Sequence, residues 1–154
     1  RAMLQDVREL ISEYLKEAKL MQLATVSEGK PWVCSVWFAA DDNLDIYWFS
    51  RRSRRHSIEV ETNADVAGAV VLPQAPTDPP RGLQFEGTCA RLTDAADIKA
   101  ARDIYENRIF PSDQIAALMD DKLDPHDFYK INTKALVLFD AENFSDEPRQ
   151  VYSK

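Results

Sequence analysis

Three consecutive segments, residues 20–27, 31–40 and 44–49, are dense in β-branched and aromatic side chains, and only the turns Glu28-Gly29-Lys30 and Asp41-Asp42-Asn43 separate them. Connections that short join antiparallel neighbours, so the segments predict a three-stranded meander. The surrounding pattern extends it. Upstream, Leu4, Val7, Leu10, Ile11, Tyr14, Leu15 and Ala18 recur at helical spacing with charged residues opposite, which predicts an amphipathic helix that packs on something. Downstream come a short helix from Ser53 to about Glu61, a fourth strand over 66–72 and a fifth over 83–92. The intervening loop, 73–80, holds too many prolines to be a ladder strand. Thr93 or Asp94 then caps a helix running to Phe110, Pro111 breaks it, and Ser112 starts another. Strands return at 128–132, 135–140 and 150–152. Six or seven antiparallel strands interrupted by a few helices predict a mainly β, α+β fold, closed as a small barrel with peripheral helices.

A length of 154 residues, 45% hydrophobic and 29% charged, suits a single domain over 1–154. Met3 is the expected natural start. The longest apolar run, Val66 to Leu72, is too short to cross a bilayer, and no secretion signal is recognisable, so the expected location is cytoplasmic. Cys34 and Cys89 match no CxxC or Cys/His spacing and read as a reduced, buried pair. A net charge of -7 and a pI near 4.8 argue against general nucleic-acid binding. With 4 glycines there is no Gly-rich phosphate loop.

Against that acidic background, residues 51–56 read Arg-Arg-Ser-Arg-Arg-His. Such a cluster repels itself unless an anion neutralises it. It lies at a strand-to-helix turn, where Ser53 reads as the helix N-cap and places Arg54 and Arg55 in the first turn, at the end of the helix dipole that disfavours cations. A bound phosphate would resolve that conflict through helix-start amides, a serine hydroxyl and forked guanidinium groups. The other reading is a solvated turn in which Arg55 pairs with Glu59 one helical turn on.

Elsewhere chemistry is sparse. Trp32, Trp37 and Trp48 read as barrel core or subunit interface. Cys34 has no local base or acid to make it a nucleophile. Asp124-Pro125-His126-Asp127 has metal-ligand residue types but reads as a turn before a strand, and the Asp41-Asp42 and Asp120-Asp121 pairs read as turn and helix-end residues.

The order of these pieces resembles the FMN-binding split barrel, the superfamily typified by pyridoxamine 5'-phosphate oxidase. Three stretches carry the resemblance. "LATVSEGKPWVCSVWF" is similar to that family's first hairpin, "IYWFSRRSRRHSIEVETNADVAGAVV" to its aromatic strand end, Ser-Arg-Lys helix start and following strand, and "RGLQFEGTCARL" to its Val-Glu-Gly strand. The last, followed by a helix and "NRIFP", resembles a bacterial branch of small proteins within the superfamily.

The resemblance implies FMN as cofactor, an oxidoreductase acting on a small-molecule redox substrate, and a homodimer with flavin sites at the interface, without nucleic-acid or membrane partners. Ser53, Arg54 and Arg55 fall on the family's Ser-Arg-Lys, whose basic pair holds the FMN phosphate. Phe49 and Ser50 match positions near the ribityl phosphate. Ser35, Val36 and Trp37 fall on the segment beside the flavin ring, and Gln84, or Gly82 close to it, falls near a glutamine that reaches the cofactor. The chain also departs from the pattern. Cys34 and Ala39 stand where the oxidase has an Arg and a Lys, so Arg51, Arg52 or His56 would have to compensate. The terminal Arg-Leu-x-Pro is replaced by "DEPRQVYSK", which disfavours pyridoxamine phosphate as substrate. No catalytic side chain is identified, as expected where the ring itself carries the redox chemistry. Two other readings stay open: the same fold holding a deazaflavin or haem, and a non-catalytic sensor or store for flavin or another phosphorylated small molecule.

Overall fold

In the computed structural model, which describes residues 6–154, the elements follow one another as helix α1 (Val7–Glu17), strands β1 (Leu20–Ser27), β2 (Lys30–Ala40) and β3 (Ile46–Arg51), helix α2 (Arg55–Thr62), strands β4 (Asp65–Val70) and β5 (Arg81–Arg91), helices α3 (Ala95–Tyr105) and α4 (Ser112–Met119), and strands β6 (His126–Asp140) and β7 (Arg149–Ser153). Met3 and Leu4 lie outside the described residues. No helix among those described is long and apolar enough to cross a membrane.

All seven strands form one antiparallel sheet in the order β3-β2-β1-β4-β5-β6-β7, closed into a barrel by pairing of β3 with β6. Strand β6 makes the barrel split. One of its edges runs along β5, while the other pairs first with β3, over 126–131, and then with β7, over 135–139.

Two apolar clusters follow from the alternation of side chains along the strands. Met21, Leu23, Phe38, Trp48, Phe85 and Leu138 fill the barrel, and α1 contributes Leu10, Ile11, Tyr14 and Leu15 to the same cluster. Trp48 stacks on Tyr129 with ring centroids 4.0 Å apart. Residues of opposite parity, Ala39, Tyr47, Phe49 and Phe128, face out and are covered by Ala101 and Tyr105 of α3 and Ile115 of α4.

Three expected boundaries are corrected. The two strands over 128–132 and 135–140 are one strand, because the polar Asn132-Thr133-Lys134 step is a bulge facing Glu86 and Gly87 rather than a turn. Thr133 is buried there, its hydroxyl donating to the Leu44 carbonyl at 2.9 Å and its amide to Asp45 at 3.1 Å. The helix from Asp94 ends at Tyr105, before Pro111, because Asn107 adopts a left-handed φ of 62° and its amide donates to the Phe110 carbonyl. Strand β4 stops at Val70, and the Leu72 amide donates to the Tyr14 hydroxyl instead of to the ladder.

Candidate functional site

The end of β3 sends its side chains to opposite sides. Phe49 lies in the outer cluster against Phe128, Tyr105 and His126. Ser50 is buried, its Oγ 2.9 Å from His56 Nε2 on the first turn of α2. Burial, with the Arg54 charge beside it, holds His56 below the usual imidazole range, so the ring is neutral at pH 7.

Helix α2 does not start as the local sequence rule suggests. Arg54, not Ser53, occupies the N-cap, and a guanidinium has no acceptor for the helix amides, while the Ser53 hydroxyl donates to Asp124 Oδ2 at 2.6 Å. The amides of the first turn therefore lack a side-chain cap, which leaves the positive end of the helix open to an external anion.

The arginine cluster divides into two pairs. Arg51 donates to the Asp124 carbonyl at 2.9 Å and pairs with Asp121 at 3.3 Å, while Arg52 pairs with Asp127, which also lies 3.9 Å from Arg91. These two arginines are neutralised from within by acids of the α4–β6 connection and the start of β6, so neither can replace the family's missing second-strand cations without giving up a carboxylate, and the Asp124-to-Asp127 segment is an ion-pair partner of the turn. No metal-binding group of histidines, cysteines and acids occurs among the described residues. The available signal was the density of acids over 120–127, opposite in sign to the cluster.

Arg54 and Arg55 remain. Arg54 is exposed and has no ion pair among the described residues. Arg55 makes the expected pair, its Nε donating to Glu59 Oε2 at 2.7 Å, while its guanidinium lies 3.9 Å over the Trp32 ring. One nitrogen and one face are thus committed, and both terminal amino groups are left for another partner in a fixed orientation. The bond that a solvated turn would contain is also the bond that aims the fork.

Glu59 is buried and accepts the Thr25 hydroxyl on its other oxygen at 2.6 Å. The Thr25 bond, and then Arg55, hold its carboxyl below the usual carboxylate range. A depressed folded-state pKa gives stability that is complete above the unfolded value of about 4.3 and is lost as pH falls through the lower folded value. Glu59→Gln is expected to melt below wild type at pH 7, with the difference shrinking towards pH 3. A constant difference across melting curves from pH 7 to 3 would show that the carboxylate charge contributes nothing.

The remaining candidates fall on a different surface. Ser35, Gln22, Ala69, Gln84 and Val137 are in register across β2, β1, β4, β5 and β6 on the outside of the barrel, and the Gln22 amide donates to Ser35 Oγ at 2.7 Å. An open groove of about 420 Å³ runs here, floored by the small residues Ala24, Ala67, Gly68 and Ala69 and bordered by Gln22 and Gln84. Trp37 lies one position along this face, 49% exposed. Val36 does not join them: strand alternation turns it towards the barrel core. Phe49 likewise sits under α3 and α4, away from the groove. Of the tryptophans, only Trp48 is core. Cys34 is half-buried and Cys89 buried, both unpaired, and burial raises the Cys34 thiol to about 11, which makes it a poor nucleophile at neutral pH.

This fold is shared with solved structures at low identity. A heme-binding protein from Mycobacterium smegmatis superposes with a TM-score of 0.77 at 14% identity, over 97% of this chain and 59% of that one. An FAD-binding protein from Mesorhizobium loti superposes with a TM-score of 0.64 at 19% identity, over 86% and 92%. In sequence, a UPF0306 protein of Yersinia pseudotuberculosis is 27% identical over 109 residues, 70% of this chain and 73% of the relative. The family model for pyridoxamine 5'-phosphate oxidase matches residues 7–140, the barrel through the end of β6, and with that span the chain belongs to the pyridoxamine 5'-phosphate oxidase family.

Proposed function

We propose that the protein is an FMN-binding oxidoreductase that works as a homodimer, with flavin between the two barrels and a small-molecule redox substrate. The observation that carries this reading is the division of the arginine cluster. Two guanidinium groups are neutralised internally, while Arg54, without an ion pair among the described residues, and the terminal amino groups of Arg55, whose Nε is held by Glu59, stand at an uncapped helix start. That donor set, with Ser53 beside it, matches the oxygens of a phosphate monoester. The floor of alanines and glycine between Gln22 and Gln84 suits a flat ring, with Ser35, Gln84 and Trp37 at hand for polar and aromatic contact. Bound FMN would supply the electron transfer, and the chain's residues anchor, orient and shield it.

The homodimer reading is supported by the same outer face. Leu20, Val33, Trp37, Val71, Phe139 and Val151 are all exposed, flanking the polar row of Ser35, Gln22 and Gln84, and apolar side chains of this size are of the kind that subunits cover. A second copy is the expected cover.

Purification as expressed tests the reading most directly. A yellow protein that releases FMN on denaturation and then oxidises a reduced nicotinamide supports it. Flavin without turnover would identify a sensor or store, and a Soret band would replace flavin with haem.

The oxidase's own substrate is not expected to turn over. Strand β7 offers one arginine, the exposed Arg149, where pyridoxal phosphate capture calls for several preorganised donors. Each lost charged hydrogen bond costs on the order of tenfold in transition-state binding. Formation of pyridoxal phosphate from pyridoxamine 5'-phosphate under oxygen should stay near the rate of free FMN. Robust turnover at micromolar substrate would instead make vitamin B6 oxidation the function.

A further inference from the structure

The turn that carries the phosphate anchors is clasped from its other side. Ser53 Oγ donates to Asp124 Oδ2 at 2.6 Å, and Arg51 Nη1 lies 2.9 Å from the Asp124 carbonyl and 3.9 Å from its carboxylate. A serine hydroxyl has one proton to donate. It can serve Asp124 or a phosphate at the start of α2, not both at once, and a carboxylate held this close also repels an arriving dianion.

We infer that Asp124 is a built-in stand-in for the cofactor phosphate. Its carboxylate occupies Ser53 and attracts Arg51 when no phosphate is present, competes with phosphate for them, and so sets how tightly FMN is held. The inference rests on the phosphate-anchor reading above. Asp124 touches no reacting atom: it is a positioning residue that acts through Ser53 and Arg51. The arrangement keeps the empty turn from accumulating unbalanced positive charge. It also opens at limited cost, because Arg51 retains Asp121 at 3.3 Å after Asp124 lets go.

Asp124→Asn keeps an acceptor for Ser53 and removes the charge. Fluorescence titrations of the full chain with FMN and with riboflavin, which lacks the phosphate, test the role. The variant is expected to bind FMN roughly 3- to 10-fold more tightly than wild type, by the difference between a charged and a neutral hydrogen bond, with the gain shrinking as salt rises. Riboflavin affinity should not change, and in a Ser53→Ala background the gain should fall. Asp124→Ser removes the same charge and serves as the second variant if the first does not fold. FMN affinity unchanged or weakened, in a protein whose wild type prefers FMN to riboflavin, overturns the stand-in role alone. Equal wild-type affinity for FMN and riboflavin overturns the phosphate anchor, and this role with it.

Discussion

Loss of both Arg54 and Arg55 to alanine is expected to weaken FMN binding on the order of 100-fold while leaving riboflavin binding nearly unchanged. Each charge-assisted contact to phosphate is worth roughly 1.5–3 kcal/mol, about tenfold or more in affinity. Arg54 is exposed and Arg55 half-exposed, so the barrel should survive the change, with a loss of stability from the broken Arg55–Glu59 pair. Arg81 and Arg91 are the controls, since each is committed elsewhere, to Asp140 and to Glu61. Arg81→Ala and Arg91→Ala should bind FMN within about twofold of wild type, well inside the effect of one charged contact. Equal FMN affinity for wild type and the double variant would leave the cluster without a role in cofactor anchoring.

The second large effect concerns folding. At Gly87 an added Cβ would lie 2.3 Å from the Asn132 carbonyl oxygen and 3.0 Å from Thr133 Cα, both backbone atoms of the neighbouring strand. Neither can swing aside as a side chain would. Gly87→Ala therefore has to push β5 and β6 apart at the bulge, at a cost of about 3 kcal/mol, the upper end for overpacking. For a chain of this size that lowers Tm by roughly 6–12 °C. Gly82→Ala is the comparison, because its Cβ would meet Val71 at an ordinary 3.8 Å. Calorimetry that finds the two variants equally stable would mean the strands at Gly87 separate at no cost.

Much of the barrel is readable along the chain because its signals are local. Residues 20–27 and 31–40 alternate with period two around a Glu-Gly-Lys turn, and Gly29 takes the positive φ of 75° that such a turn favours. Helix α4 begins at Ser112 directly after Pro111, as the sequence suggests. What escapes sequence reading depends on partners far away. The break expected near Thr133 vanishes because its polar groups are satisfied by Leu44 and Asp45, almost 90 residues earlier. Ser53 has the right chemistry for an N-cap, yet the helix starts one residue later with Arg54 at the cap, and the Ser53 hydroxyl donates to a carboxylate 71 residues on. The candidate site is legible to the same extent. Arg54 and Arg55 stand out as adjacent charges at a helix start, and the i to i+4 pair with Glu59 follows from spacing alone. That Arg51 and Arg52 are already neutralised could not be seen, since residues 121–127 announce themselves only as turn-forming acids. The outer groove was invisible for another reason: its floor is made of alanine and glycine residues that carry no chemical signature until β1 and β4 bring them together.

The ion pairs that quiet the arginine turn also set a schedule for vectorial synthesis. Arg52 and Asp127 are 75 positions apart, and β6, which closes the barrel against β3, begins only at His126. At roughly 5–20 residues per second, the ribosome makes the most cationic stretch of the chain on the order of 4 to 15 seconds before its carboxylates exist. Over that interval Arg51 and Arg52 lack the carboxylates that neutralise them in the folded protein. Native pairing of this turn therefore has to wait for the arrival of a single long strand.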